Sequence, residues 1–141
     1  QSQFMPSSFL TYAQDYDNDG KKDIWTNELD VFASIANYLK VHGWDYTKTW
    51  GREVLVPKKI INLYKDKFTK AHSLKFWSDN NVTNINGGKL PDINYKSKLI
   101  FPDGLNGRAF LVYNNFYKTK KYNASTYYAL SIGLLADRIK F

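Results

Sequence analysis

Asp15, Asp17 and Asp19 stand at alternate positions, and Gly20 follows the third. Alternate carboxylates ahead of a glycine converge on one hard cation while the glycine permits a sharp turn, as in the first half of an EF-hand loop. Lys21 would add its backbone carbonyl. The second half departs from that pattern, with Lys22 where an aliphatic residue belongs and Thr26 where a bidentate glutamate would close the site. The aliphatic residue arrives late, at Ile24, so the expected loop is longer than usual, about residues 15–30, and is closed by Glu28 or Asp30. The competing arrangement is an acidic turn whose Asp side chains cap their own backbone. Three carboxylates this close repel one another unless a positive charge sits among them, which favours the cation. Calcium is the expected ion, with sodium or magnesium as alternatives. Its role is structural rather than sensory, since the loop is single and the chain has one methionine.

The other residue types narrow the chemistry further. There is no cysteine, which removes disulfides, thiolate metal sites and cysteine nucleophiles. The net charge of +7 and pI near 9.4 favour an anionic partner. The excess is 17 Lys against 3 Arg, scattered along the chain without an arginine-rich stripe, which argues against nucleic acid. Aromatic residues make up 17% of the 141 residues, and Tyr and Trp, apolar in body with a polar edge, suit half-exposed grooves as well as a core. Composition alone does not choose between the two.

The elements that must carry these residues read as one mainly helical (α+β) domain over 1–141 with a small β element. Pro6 opens a short helix that runs into the acidic loop. A second helix starts near Asn27, with Phe32, Ile35, Ala36 and Leu39 at helical spacing and His42-Gly43 as its stop. Glu53 to Pro57 is too short for anything but a strand or extended segment. A third helix is expected from Lys58 to about Lys70 with Ile60, Ile61, Tyr64 and Phe68 on one side, then a loop from Asn80 to Asn94. Two strands, Lys98–Phe101 and Ala109–Tyr113, flank the turn Pro102-Asp103-Gly104. The last helix, from about Ser125 to Ile139, places Ala129, Ile132, Ala136 and Ile139 on one stripe. No apolar run approaches the ~20 residues that span a bilayer. The first residues have neither an initiator Met nor the regions of a signal peptide, so the chain is expected to start in mid-protein.

A succession of blocks resembles the membrane-bound lytic murein transglycosylase B family. They are Gln3-Phe4-Met5-Pro6-Ser7-Ser8-Phe9, the Asp15 loop ending Ile24-Trp25, Ser34 to Leu39, His42-Gly43-Trp44, Gly107 to Val112, Asn115-Phe116, Tyr122 to Ser125, Tyr128 to Leu130 and Gly133 to Arg138. The resemblance runs the length of the chain in the family's order. It implies a lysozyme-like fold and cleavage, without water, of the bond between N-acetylmuramic acid and N-acetylglucosamine. One glutamic acid would protonate the leaving oxygen and then help the muramoyl 6-hydroxyl attack the anomeric carbon, leaving a 1,6-anhydro sugar. This is a lyase chemistry distinct from the paired-carboxylate scheme of most glycosidases.

Carried over residue by residue, the resemblance implies that Gln3, Phe4 and Met5 border the cleft, that Tyr38 lies near the glutamate, and that Asn123 and Tyr128 contact sugar or position the acid. It also implies an EF-hand-like loop closed by an aspartate of the following helix, which selects Asp30 over Glu28. Glycan strands of peptidoglycan are the implied partner, in the bacterial periplasm or cell envelope, with a monomeric chain whose parent is membrane-anchored through a missing N-terminus. The catalytic glutamate of the family is expected upstream of Gln1, since neither Glu28 nor Glu53 lies in its motif. The chain is thus expected to be the C-terminal part of a catalytic region, inactive alone. The alternatives are a peptidoglycan-binding module without catalysis and a calcium-binding interaction domain.

Overall fold

The computed structural model describes residues 2–139, and the chain divides between Asp45 and Tyr46 into two compact units. The first holds helix α1 (Pro6–Tyr12) and helix α2 (Glu28–Val41) with the acidic loop between them. Pro6 occupies the first turn of α1, where its missing N–H costs nothing. Asn27 caps α2, its side chain accepting from the amides of Leu29 and Asp30. The expected stop holds: Gly43 takes φ +88°, its N–H reaches Lys40 O and that of Trp44 reaches Leu39 O. Ala13, Ile24 and Val31 form a small core, with Phe4, Phe9 and Ile35 packed against it.

The buried line of α2 differs from the expected stripe. Asp30, Val31 and Ser34 are buried, whereas Phe32 is 65% exposed. The reason is polar. Asp30 accepts from the amides of Tyr16 (2.7 Å) and Asp23 (2.8 Å), Ser34 Oγ accepts from the Gln14 amide (2.9 Å), and Asn37 Nδ2 donates to Tyr12 O (3.0 Å). One edge of the helix thus takes up backbone groups of the irregular chain beside it, a demand that apolar spacing does not reveal.

The second unit is built on an antiparallel sheet in the order β2-β4-β5-β1-β3. Its strands are β1 (Gly51–Leu55), β2 (His72–Ser73), β3 (Thr83–Asn84), β4 (Lys96–Ile100) and β5 (Ala109–Val112). β5 is central and buried on both sides, pairing Leu111 with Arg52 of β1 and with Leu99 of β4. Its side chains alternate between two cores. Ala109 and Leu111 join Val54, Leu99, Leu74, Trp77 and Ile60, while Phe110 and Val112 join Trp50, Phe116, Ala129 and Leu130. The first core rests on helices α3 (Lys58–Lys67) and α4 (Leu74–Asp79), the second on α5 (Asn114–Tyr122) and α6 (Thr126–Arg138).

Several expectations are corrected here. The sheet has five strands rather than two or three, because two-residue strands complete its edges and the Asn80–Asn94 segment contributes one of them. α3 ends at Lys67, with Phe68 as a buried cap residue. α6 buries Ala129 as expected, but together with Leu130 and Gly133, while Ile132, Ala136 and Ile139 of the expected stripe are exposed. The face turns toward Gly133 because only a residue without a β-carbon admits the Trp50 ring there. α4 and α5 were not expected. α4 is too short for a periodic signal, and α5 carries three lysines with few apolar residues, being seated instead by buried Asn115, whose Nδ2 donates to Lys48 O at 2.7 Å.

Candidate functional site

The acidic loop is shaped by its own side chains. The two Asp15 oxygens accept from the amides of Asp19 (3.2 Å) and Gly20 (2.9 Å), and Asp19 Oδ1 accepts from Lys21 N (2.8 Å). Asn18 at φ +61° and Gly20 at φ +89° turn the chain, a conformation that asparagine tolerates and glycine adopts freely. Asp17 Oδ2 accepts from Asn27 Nδ2 at 2.7 Å, which ties the loop to the cap of α2. The turn-capping alternative and the cation alternative are therefore not exclusive, since each carboxylate keeps lone pairs beyond those used.

Ligand oxygens of Asp15, Asp17 and Asp19 all lie within 4.8 Å of one another. Oxygens about 2.4 Å from a shared calcium ion can stand no further apart than about twice that, so the donor set fits a hard cation in spacing as well as in chemistry. Asp30 is fully buried at the base of the loop and stands outside this group, with an amide proton on each oxygen. Asp23, which the sequence did not single out, caps the following turn: it accepts from the Trp25 and Thr26 amides at 2.9 Å and from the Thr26 hydroxyl. The Thr26 hydroxyl, followed by these amides, holds its carboxyl below the ordinary value.

In the same unit, Phe4 and Tyr38 are brought together at 5.9 Å between ring centroids. Tyr38 also meets Tyr12 edge-on at 4.8 Å and stacks on His42 at 4.1 Å. Burial, with the Tyr12 phenol behind it, raises the Tyr38 hydroxyl above the usual phenol value, so it is a neutral donor at physiological pH. Gln3 is exposed with φ +58°, a left-handed conformation uncommon for a residue with a β-carbon, and Met5 projects into solvent at 69% exposure. Gln3 and Phe4, with Phe9, Leu10, Ile24 and Trp25, line a concavity of about 410 Å³. Tyr12 and His42 are the members of this aromatic cluster that sequence reasoning missed. The available signal was His42 lying four residues after Tyr38, one turn along the same helix face.

In the second unit, Asn123 and Tyr128 lie on either side of a cap. Asn123 Oδ1 accepts from Ser125 N (3.0 Å), and Ser125 Oγ accepts from Tyr128 N (3.2 Å). The Tyr128 ring is stacked with that of Tyr122 at 6.2 Å, adding a third residue to the pair. Neither glutamate resembles a poised acid. Glu28 is exposed in the first turn of α2, and Glu53 is held by Arg108 through two parallel bonds of 2.8 and 2.7 Å. The hydrogen-bonded guanidinium lowers the Glu53 carboxyl and keeps it ionised.

The chain belongs to the family described as the transglycosylase SLT domain, whose model matches residues 1–137. Membrane-bound lytic murein transglycosylase B of Escherichia coli (strain K12) is 30% identical over 142 residues, which cover 97% of this chain and 36% of that protein. Among solved structures, SltB3 from Pseudomonas aeruginosa in complex with NAG-anhNAM-pentapeptide is 43% identical, with a TM-score of 0.87 over 96% of this chain and 36% of that one. The Escherichia coli lytic transglycosylase Slt35 in complex with calcium is 27% identical, with a TM-score of 0.69 over 96% of this chain and 41% of its own. The lysozyme-like transglycosylase fold expected from the sequence is thereby shown. The chain spans little more than a third of the length of these relatives. Among the described residues no helix is long and apolar enough to cross a membrane.

Proposed function

We propose that this chain is the C-terminal part of the catalytic region of a peptidoglycan lytic transglycosylase, cleaving the MurNAc–GlcNAc bond to a 1,6-anhydro end in the cell envelope. The observation that carries the reading is the family match over residues 1–137, joined to a 43% identical relative solved with a muropeptide. Gln3, Phe4, Met5 and Tyr38 in one unit and Asn123 and Tyr128 in the other are the residues that would bind and orient glycan. Tyr38 offers a neutral hydroxyl within an aromatic wall, Asn123 Oδ1 is held by the Ser125 amide, and the Tyr128 ring stacks with Tyr122, so their placement costs little ordering on binding.

The catalytic proton would come from outside these 141 residues. A general acid must reach the glycosidic oxygen while protonated. Glu53 is held ionised by Arg108, and Glu28 stands exposed at the surface in the first turn of α2. The EF-hand-like loop would hold calcium through Asp15, Asp17 and Asp19 and the Lys21 carbonyl, with Asp30 adding the lone pairs its two amide bonds leave. The ion would stabilise the loop and take no part in the reaction.

The test is muropeptide analysis of sacculi incubated with the 141-residue chain and, in parallel, with an intact family member. The chain is expected to bind sacculi yet release 1,6-anhydromuropeptides more slowly by at least the ~10²–10⁴ a general acid contributes. Release by the chain at a comparable rate would overturn the assignment of the acid, and failure to bind sacculi would overturn the glycan reading.

A further inference from the structure

In the second unit, α3, β4 and the α5–α6 junction enclose a groove of about 380 Å³ that includes none of the residues assigned above to the glycan. Its walls carry Tyr64, Phe101, Tyr117 and Tyr127, and two cations, Lys98 and Lys120, open onto it. None of the described residues lining it is acidic. Neither lysine is paired with a carboxylate among the described residues, and Lys120 has only the Thr126 hydroxyl, 3.1 Å from its Nζ. The Asp103 carboxylate meets the wall at Tyr127, whose hydroxyl donates to it at 2.7 Å, and it also faces Arg108. Tyr64 is fixed by donation to Leu99 O (2.9 Å) and by its edge-on packing with Phe101 (4.9 Å). The volume is in the range of small-ligand sites.

Aromatic faces that bind flat, weakly polar rings, set beside uncompensated cations, match a ligand that is both saccharide and anion. An uncharged sugar would make no use of the two half-exposed lysines, and an inorganic anion would leave the aromatic wall unused. We propose that this groove is a second peptidoglycan subsite, which takes the carboxylate-bearing muramyl-peptide part of a glycan strand. The sugar or peptide backbone would lie against Tyr117 and Tyr127, and Lys98 and Lys120 would receive a stem carboxylate. The proposal rests on the glycan reading above. It goes beyond it by assigning recognition of the peptide stem to residues remote from Asn123 and Tyr128 in role.

The test is amide and side-chain NMR of the labelled 141-residue chain titrated with NAG-NAM-pentapeptide, which is anionic, and with diacetylchitobiose, which is neutral. The pentapeptide is expected to shift signals of Lys98, Tyr117, Lys120 and Tyr127, weakening with added salt. The double variant K98E/K120E should bind it on the order of tenfold less tightly while leaving chitobiose affinity unchanged. A spectrum with native dispersion shows that the variant folds, and K98Q/K120Q, which only neutralises the groove, should give a smaller loss in the same direction. Shifts confined to the surroundings of Tyr38, Asn123 and Tyr128 with unchanged binding by the variants would overturn the second subsite and leave the glycan reading standing. Absence of shifts at both places would overturn both.

Discussion

Gly133→Ala sets two effects of opposite sign against each other. Alanine is a better helix former than glycine by about 1 kcal/mol, so in an open helix the change would stabilise α6. Here a β-carbon on Gly133 would fall 2.4, 2.5 and 2.7 Å from Cδ2, Cε2 and Cγ of Trp50, well inside van der Waals contact. The indole cannot yield cheaply. It is 4% exposed, packs with Phe110, Val112, Phe116, Ala129 and Leu130, and is pinned by a 2.9 Å bond from Nε1 to Asp137 Oδ2. Overpacking of this kind costs about 1–3 kcal/mol, and displacing the ring also gives up a hydrogen bond worth about 1 kcal/mol. Net of the propensity gain, G133A should destabilise by about 2 kcal/mol. That lowers the urea midpoint by roughly 1 M for a typical slope. Trp fluorescence at equilibrium reports the transition, and the double variant G133A/W50F, with a smaller ring, should recover about half of the loss. A G133A protein as stable as the parent, or additive costs in the double variant, would refute the claim that ring contact rather than helix propensity sets the sign.

Asp30→Asn should destabilise by about 1–3 kcal/mol in chelator, since an amide NH2 would face the N–H of Tyr16 or Asp23, and unchanged denaturation would show that the two bonds are dispensable. Calcium at a hundredfold excess over its dissociation constant should stabilise by about 2.7 kcal/mol relative to chelator, an increment that D17N/D19N removes, and a melting temperature indifferent to calcium would exclude the site. Arg108 holds the Glu53 carboxyl low, so the pair's contribution is complete above the unfolded-chain value of about 4.3 and is lost as pH falls through the lower folded value. E53Q should therefore cost about 0.5–1 kcal/mol at neutral pH and nothing in strong acid, measured by urea titration at several pH values. A cost that persists in acid would assign the effect to packing.

How much of this was legible in the sequence depends on how local the signal is. The turn at Gly20, the start of α2 near Asn27, the stop at Gly43 and the entry at Pro6 are each written in one or two residues, and each stands where the sequence placed it. The buried faces of α2 and α6 were misread because they are set by distant partners. Asp30 and Ser34 are inside since the loop backbone needs acceptors, and Gly133 is inside since Trp50, more than eighty residues earlier, needs room. Two-residue strands such as His72–Ser73 exist only because Lys96 and Ser97 lie beside them. Asp15, Asp17 and Asp19 were legible as a cluster from spacing alone, whereas the company kept by Tyr38 and Tyr128 depends on folded rings that spacing only hints at.

The polar edge of α2 also bears on how freely the neighbouring segment can drift over evolutionary time. Asp30, Ser34 and Asn37 hold that segment through the amides of Gln14, Tyr16 and Asp23 and the carbonyl of Tyr12, never through its side chains. Every amino acid but one supplies the same amide. Gln14 and Tyr16, both solvent-exposed, can therefore exchange for almost any residue without loosening the grip, while proline at 14, 16 or 23 removes the gripped proton itself. The backbone path at Tyr12, Gln14, Tyr16 and Asp23 is thus held by three residues of the adjoining helix, so at these positions the heritable constraint lies outside the segment, whereas between them Asp15, Asp17 and Asp19 carry it themselves.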